Sequence, residues 1–127
     1  MLNSTKQSND LSLSWAETDL SAVLHNLKEL RRLAARNQFV LPSRPKFQES
    51  HRAMELLTII KADAYGHGME KIGLLLQKNG VQFFGVSDVK EGIYLRKAGI
   101  KKSILLLEST LPCFVTDIVE YDLIPTV

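Results

Sequence analysis

Four short apolar runs alternate with amphipathic segments along this chain, and that alternation restricts the fold more than any other feature. The runs are Leu56–Ile60, Val81–Val86, Ile104–Leu107 and Leu123–Val127. All are rich in the aliphatic and β-branched residues that suit buried strands. Between them, Met69, Ile72, Leu75 and Leu76 recur at helical spacing, and Ile93, Tyr94 and Leu95 come after Asp88 and Glu91, two carboxylates suited to a first helical turn. Thr110 with Pro112 opens a further helix, expected to be buried through Val115, Ile118 and Val119. Asn79-Gly80 and Gly99 read as helix stops, and Gly73 would let its helix approach the sheet closely. The order β-α-β-α-β-α-β argues for a parallel sheet. The unbroken run Ile104–Leu107 predicts a strand covered on both faces.

Ahead of the first run, Asp19 is a good N-cap for a helix whose apolar stripe is Leu20, Val23, Leu24, Leu27, Leu30 and Ala34. His25 lies off that stripe and reads as a surface residue. Leu11–Trp15 alternates apolar and polar residues, a short strand signal, and residues 1–10 read as a disordered tail. Residues 37–54 are polar, carry Pro42 and Pro45 and show no clean period, so they read as a long loop or insertion.

The first run ends on Lys61, with Tyr65, Gly66 and Gly68 within a few positions of it. Placing a lone ammonium at an apolar strand end costs several kcal/mol unless it is paired or deprotonated. A desolvated lysine amine is a nucleophile able to condense with an aldehyde. In barrels of alternating strands and helices, chemistry sits at the C-terminal ends of the strands, which is where Lys61 falls. A snorkelling lysine with a buried stem and a wet head is the simpler alternative from position alone.

The stretch Lys61-Ala62-Asp63-Ala64-Tyr65-Gly66-His67-Gly68 resembles the pyridoxal-phosphate attachment motif of alanine racemases over eight consecutive residues. Trp15–Leu20 and the helix after it resemble the opening of that family. Phe84–Ser87 and Leu95–Ile100 match its next two βα units, and Pro125–Val127 fits the start of its fourth strand. The resemblance covers roughly residues 11–127. It implies an α/β fold, a partial TIM (β/α)8 barrel comprising roughly the first half. A complete barrel takes about 250 residues, so the 127 residues present read as the N-terminal portion, with the rest of the barrel and a C-terminal β domain absent.

The implied activity is interconversion of L- and D-alanine, with pyridoxal 5'-phosphate as the electron sink for the α-carbanion. By the same resemblance Lys61 binds the cofactor covalently and, once the substrate amine displaces it, serves as one of two acid–base groups. The opposing group is a tyrosine from the partner subunit of a homodimer, outside this sequence. Tyr65 is implied to donate its hydroxyl to the cofactor phosphate. Gly66 and Gly68 are read as permitting the turn, and Asp63 and His67 as its structural polar groups. The alternatives are a catalytically inactive cofactor-binding remnant, half of a split enzyme, another pyridoxal-phosphate barrel enzyme, or a racemase for a different amino acid such as serine.

Composition is that of a globular chain, 45% hydrophobic and 24% charged. Sixteen basic residues against 14 acidic ones leave a net charge of +2, too little to argue for nucleic acid. The basic cluster from Lys28 to Arg52 lacks interleaved aromatics and reads as a solvated surface. No apolar run reaches the length of a membrane span. Cys113 is the single cysteine, has no His or Cys at ligand spacing, and reads as a packing residue in a reducing compartment. The expected setting is therefore cytoplasmic, with no metal, no membrane and no nucleic acid as partner.

Overall fold

The computed structural model describes residues 16–36 and 55–126. The tail, the strand signal at Leu11–Trp15, the 37–54 segment and Val127 lie outside the described residues. Helix α1 (Leu20–Arg36) precedes strand β1 (Leu57–Ile59), a single turn α2 (Lys61–Gly66) and helix α3 (Met69–Lys78). Next come strand β2 (Phe83–Val86), helix α4 (Val89–Lys97) and strand β3 (Ser103–Ser109). A 3-10 turn at Pro112–Phe114 then leads into α5 (Val115–Glu120) and strand β4 (Ile124–Thr126). The strands form one sheet in the order β1-β2-β3-β4, every neighbouring pair parallel.

The register sorts the side chains into two faces. Thr58, Phe84 and Ile104 align across the sheet, as do Val86 and Leu106. Phe84, Val86, Ile104 and Leu106 are fully enclosed beneath the helices, with Leu95, Ile100 and Val81 completing the core. Leu57 aligns with Phe83, and Leu105 with Gly85 and Ile124, on the opposite face. Leu57, Phe83 and Ile124 are exposed there, and Leu105 and Leu107 half-buried. The expectation that β3 is covered on both faces is therefore met on one face only, among the described residues. Four strands bury the side their crossover helices pack on and leave uncovered the side that faces inward in a barrel.

Helix α1 begins where expected. The Asp19 carboxylate accepts hydrogen bonds from the Ser21 N–H (2.8 Å), the Ser21 hydroxyl (2.6 Å) and the Ala22 N–H (3.3 Å). These bonds, the hydroxyl first among them, hold its pKa below the ordinary aspartate value. Of its predicted stripe only Leu27 is buried and Val23 packs on the core, while Leu20 and Leu30 are exposed. In α3, Met69, Ile72 and Leu76 are buried as expected, and Gly73 lies against Ile60, Leu95 and Ile100, where an added Cβ would crowd the isoleucines.

The last helix departs from expectation. Phe114 and Ile118 pack on the core, whereas Val115 and Val119 are 56% and 76% exposed. Pro112 starts a 3-10 turn, with three residues per turn, and that shifts the phase of the helix after it. Cys113 falls in this turn and is exposed, so its expected packing role is corrected.

Three helices end in the same way. After α3, Gly80 N–H donates to Gln77 O and Val81 N–H to Leu76 O; after α4, Gly99 donates to Arg96 O and Ile100 to Leu95 O. After α5, Asp122 donates to Val119 O and Leu123 to Ile118 O. Each is a Schellman stop whose final residue is apolar and buried: Val81, Ile100 and Leu123.

Arg96 ties the last two of these stops together. Its guanidinium donates to the carbonyls of Tyr121, Ile100, Lys102 and Asp122, all at 2.7–2.8 Å. Burial lowers its pKa, partly offset by the Asp122 carboxylate. An ammonium cannot span four carbonyls spread in this way. Arg96→Ala is therefore expected to lower stability by about 3 kcal/mol, and Arg96→Lys to recover less than half of that, in urea denaturation. A loss below about 0.5 kcal/mol for Arg96→Ala would show that the carbonyls find water instead.

Candidate active site

The parallel ladder of β1 closes with the Ile60 N–H donating to Gly85 O at 2.9 Å. Lys61 is the next residue and stands, half-buried, at the C-terminal end of the strand. No hydrogen bond or ion pair holds its ammonium among the described residues.

Directly after Lys61 the backbone makes a helical turn of reversed hand. Ala62, Asp63, Ala64 and Tyr65 have φ between 50° and 57° and ψ between 36° and 53°. Gly66 and Gly68 also have positive φ, at 83° and 89°. The glycines permit the turn, as expected. The four residues before them depart from expectation, because left-handed backbone costs an L-residue roughly 1–2 kcal/mol. Four in succession sum to about 4–8 kcal/mol, comparable to the whole stability of a small domain. Surrounding contacts must hold such a turn in place.

Those contacts are identifiable. Ala64 is buried, and its N–H donates to Ile60 O at 2.9 Å. The Asp63 carboxylate accepts the Met69 N–H at 2.7 Å and so caps α3 from six residues upstream, while the Asp63 carbonyl accepts the Gly68 N–H at 2.9 Å. His67 Nδ1 donates to Ala64 O at 2.9 Å, and the Thr18 hydroxyl donates to His67 O at 3.4 Å. Asp63 and His67 thus make the hydrogen bonds of structural turn residues. The Glu91 carboxylate accepts the Ala62 N–H at 2.7 Å with one oxygen and the Ser87 N–H at 2.8 Å with the other. Sequence alone shows Glu91 only as a first-turn carboxylate complementing the helix dipole; its bond to the end of β1 depends on a neighbour 29 positions away.

Tyr65 lies on the reversed turn and is 61% exposed. Lys61 and Tyr65 are thus brought to one turn at one end of the sheet, the end where parallel α/β sheets place their chemistry. Two surface depressions lie at the opposite end, lined by residues that include Glu55, Gln82, Lys101 and Ser103, and belong to no part of this site. Tyr94 donates to the Glu70 carboxylate at 2.9 Å, linking α4 to α3, and this bond raises the phenol pKa.

A lysine at the C-terminal end of a strand, in a parallel sheet built of βα units, places the chain among the α/β proteins whose sites lie at that end of the sheet. The family model described as alanine racemase, N-terminal domain, matches residues 46–127. The chain is 34% identical over 111 residues to alanine racemase 1 of Caldanaerobacter subterraneus subsp. tengcongensis, covering 87% of this chain and 24% of that protein. It is 32% identical over 126 residues to an amino-acid racemase of Enterococcus faecalis, covering 99% of this chain and 16% of that protein. The alanine racemase structure from Clostridium difficile 630 superposes with a TM-score of 0.68 at 30% identity, over 85% of this chain and 25% of that one. This chain belongs to the alanine racemase family. It spans about a quarter of the length of the alanine racemases it matches, and its four strands form part of that family's barrel.

The reversed turn makes a prediction of sign. Ala62→Gly is expected to raise stability by about 0.5–1 kcal/mol, because glycine adopts positive φ without penalty. Ala22→Gly, at an exposed position of right-handed α1, is expected to lower it by a similar amount. Chemical denaturation of both variants reads the comparison, and destabilisation by both would contradict a left-handed Ala62.

Proposed function

We propose that this chain supplies the cofactor-bearing lysine of a pyridoxal-phosphate-dependent alanine racemase. The observation that carries the reading is Lys61 itself: an amine with no hydrogen bond or ion pair among the described residues, at the C-terminal end of β1 and within the segment the racemase N-terminal domain matches. The donor set fits the group. Pyridoxal phosphate offers an aldehyde, which a lysine amine takes up, and a phosphate, which the exposed Tyr65 hydroxyl is suited to bind. The bound cofactor supplies an electron sink for the pair left on the substrate α-carbon.

The chain's own residues divide the remaining work. Lys61 Nζ anchors the cofactor and, when released, takes the proton from the substrate α-carbon or returns it on one face. Tyr65 Oη would donate a hydrogen bond to the phosphate. The opposite face needs a second proton-transfer group, which the family resemblance assigns to a partner subunit in a homodimer. The substrate is alanine, and the D-alanine produced feeds peptidoglycan in the cytoplasm. Among the described residues no helix is long and apolar enough to cross a membrane.

A second reading is favoured by the inner face of the sheet, where Leu57, Phe83 and Ile124 are exposed among the described residues. In it these 127 residues bind the cofactor but do not racemise alanine on their own. Both readings are tested by incubating the purified chain with pyridoxal phosphate, reducing with borohydride and mapping the adduct by mass spectrometry. The expected result is one dominant adduct on Lys61, absent from Lys61→Ala, with racemisation by the pure chain at or near background. Labelling scattered over the surface lysines would overturn the cofactor reading. Racemisation abolished by Lys61→Ala would overturn the inactive reading.

A further inference from the structure

Lys61 is bracketed by two hydrogen bonds that run to the same neighbouring strand unit. On its N-terminal side the Ile60 N–H donates to Gly85 O of β2 at 2.9 Å. On its C-terminal side the Ala62 N–H donates to Glu91 Oε1 at 2.7 Å. The Ala62 N–H belongs to the peptide unit that carries the Lys61 carbonyl, so this bond sets the backbone rotation on the C-terminal side of the lysine. Glu91 is itself held. Its other oxygen accepts the Ser87 N–H at 2.8 Å, and its backbone N–H donates to the Asp88 carboxylate at 3.0 Å.

This is a capping box with one change. In the usual form the third helical residue's carboxylate reaches back to the N-cap N–H. Here it reaches one residue further, to Ser87, and gives its second oxygen to the end of the adjacent strand. Both donors lie just beyond the ends of their strands, and Glu91 satisfies them together. A bond from an N–H to a carboxylate is about twice as strong as a neutral one.

We infer that Glu91 is a positioning residue for Lys61: its carboxylate locks the ends of β1 and β2 together, starts the reversed turn at Ala62, and so fixes where the lysine amine is presented to the cofactor. This inference rests on the cofactor reading. It also explains why the chain holds a costly turn at this point. In the amide of Glu91→Gln one of the two oxygens that accept these N–H groups becomes an NH2 donor, so in the same geometry one of the two N–H groups loses its acceptor.

The test uses the full chain in four forms: wild type, Glu91→Gln, Glu91→Ala and Arg96→Lys. Arg96→Lys weakens the carbonyl bonds at the far end of the same helix, away from Glu91, and serves as a control for simple destabilisation of α4. Two quantities are read: hydrogen exchange at the Ala62 and Ser87 amides, and the fraction of borohydride-trapped pyridoxal adduct found on Lys61 rather than on other lysines. In Glu91→Ala the exchange of both amides is expected to rise about tenfold or more, and the Lys61 fraction to fall about fivefold or more. Glu91→Gln should be intermediate. Arg96→Lys should leave both readouts within about twofold of wild type after correction for global stability.

Selective Lys61 labelling in wild type that survives in Glu91→Ala would overturn the role of Glu91 and leave the cofactor reading intact. Equal losses in Arg96→Lys and Glu91→Ala would also overturn it, by showing that helix stability alone is at work. Unselective labelling of the wild type itself would overturn the cofactor reading, and with it this use of the bond.

Discussion

A chain leaving a parallel strand must find new partners for its backbone N–H and C=O groups before the next helix takes them up. Between β1 and α3 this happens in a few residues, and the hand of the backbone is reversed to do it. The reversal puts Ala64 in the core, sends the Asp63 carboxylate to the Met69 N–H at the start of α3, and leaves Lys61 and Tyr65 outside. A right-handed turn at the same point would continue the helix directly from the strand, with no break at Gly66–Gly68 in which to redirect it. The strain of the turn is met by the Glu91, Asp63 and His67 hydrogen bonds acting together.

The remainder of the molecule is what makes such a turn tolerable. Three helices stop with the same pair of backbone bonds, and each time the chain drops an apolar residue, Val81, Ile100 or Leu123, into the core on its way to the next strand. Arg96 links two of those stops by donating to four carbonyls. The N-terminal end of the sheet is thereby fixed by repeated devices, two turning on glycine and the third on Asp122 at φ 49°, while the four-residue left-handed run lies at the opposite end, where the lysine is. The division matches the general rule for barrels, stability at one face and chemistry at the other.

The alternation of strands and helices is legible in the sequence because parallel strands and their crossover helices carry different apolar periods. Asp19, Asn79-Gly80 and Gly99 announce the helix ends by residue type alone. Lys61 and Tyr65 are legible through the wording of the motif. Three things are not. An apolar run such as Ile104–Leu107 does not say whether one or both faces of the strand are covered; here Leu105 and Leu107 are only half-buried. The buried face of α5 escapes a simple helical count because the turn at Pro112 shifts its phase. The left-handed turn leaves no compositional trace, since alanine and tyrosine are poor residues for positive φ and the hydrogen bonds that keep them there include one from 29 positions away. Glu91 belongs with this last case, because its main partner is distant in sequence and close in space.

The presentation of Lys61 turns on the hand of the backbone at residues 62–65. The most direct measurement is the sign of φ at Ala62, Asp63, Ala64 and Tyr65 in solution, from three-bond couplings and intraresidue amide-to-α-proton contacts by NMR. Positive φ at all four residues is the predicted result. Negative φ at Ala62 and Ala64 would contradict it: the turn would be an ordinary one, Lys61 would be presented differently, and the strain assigned to this site would not exist.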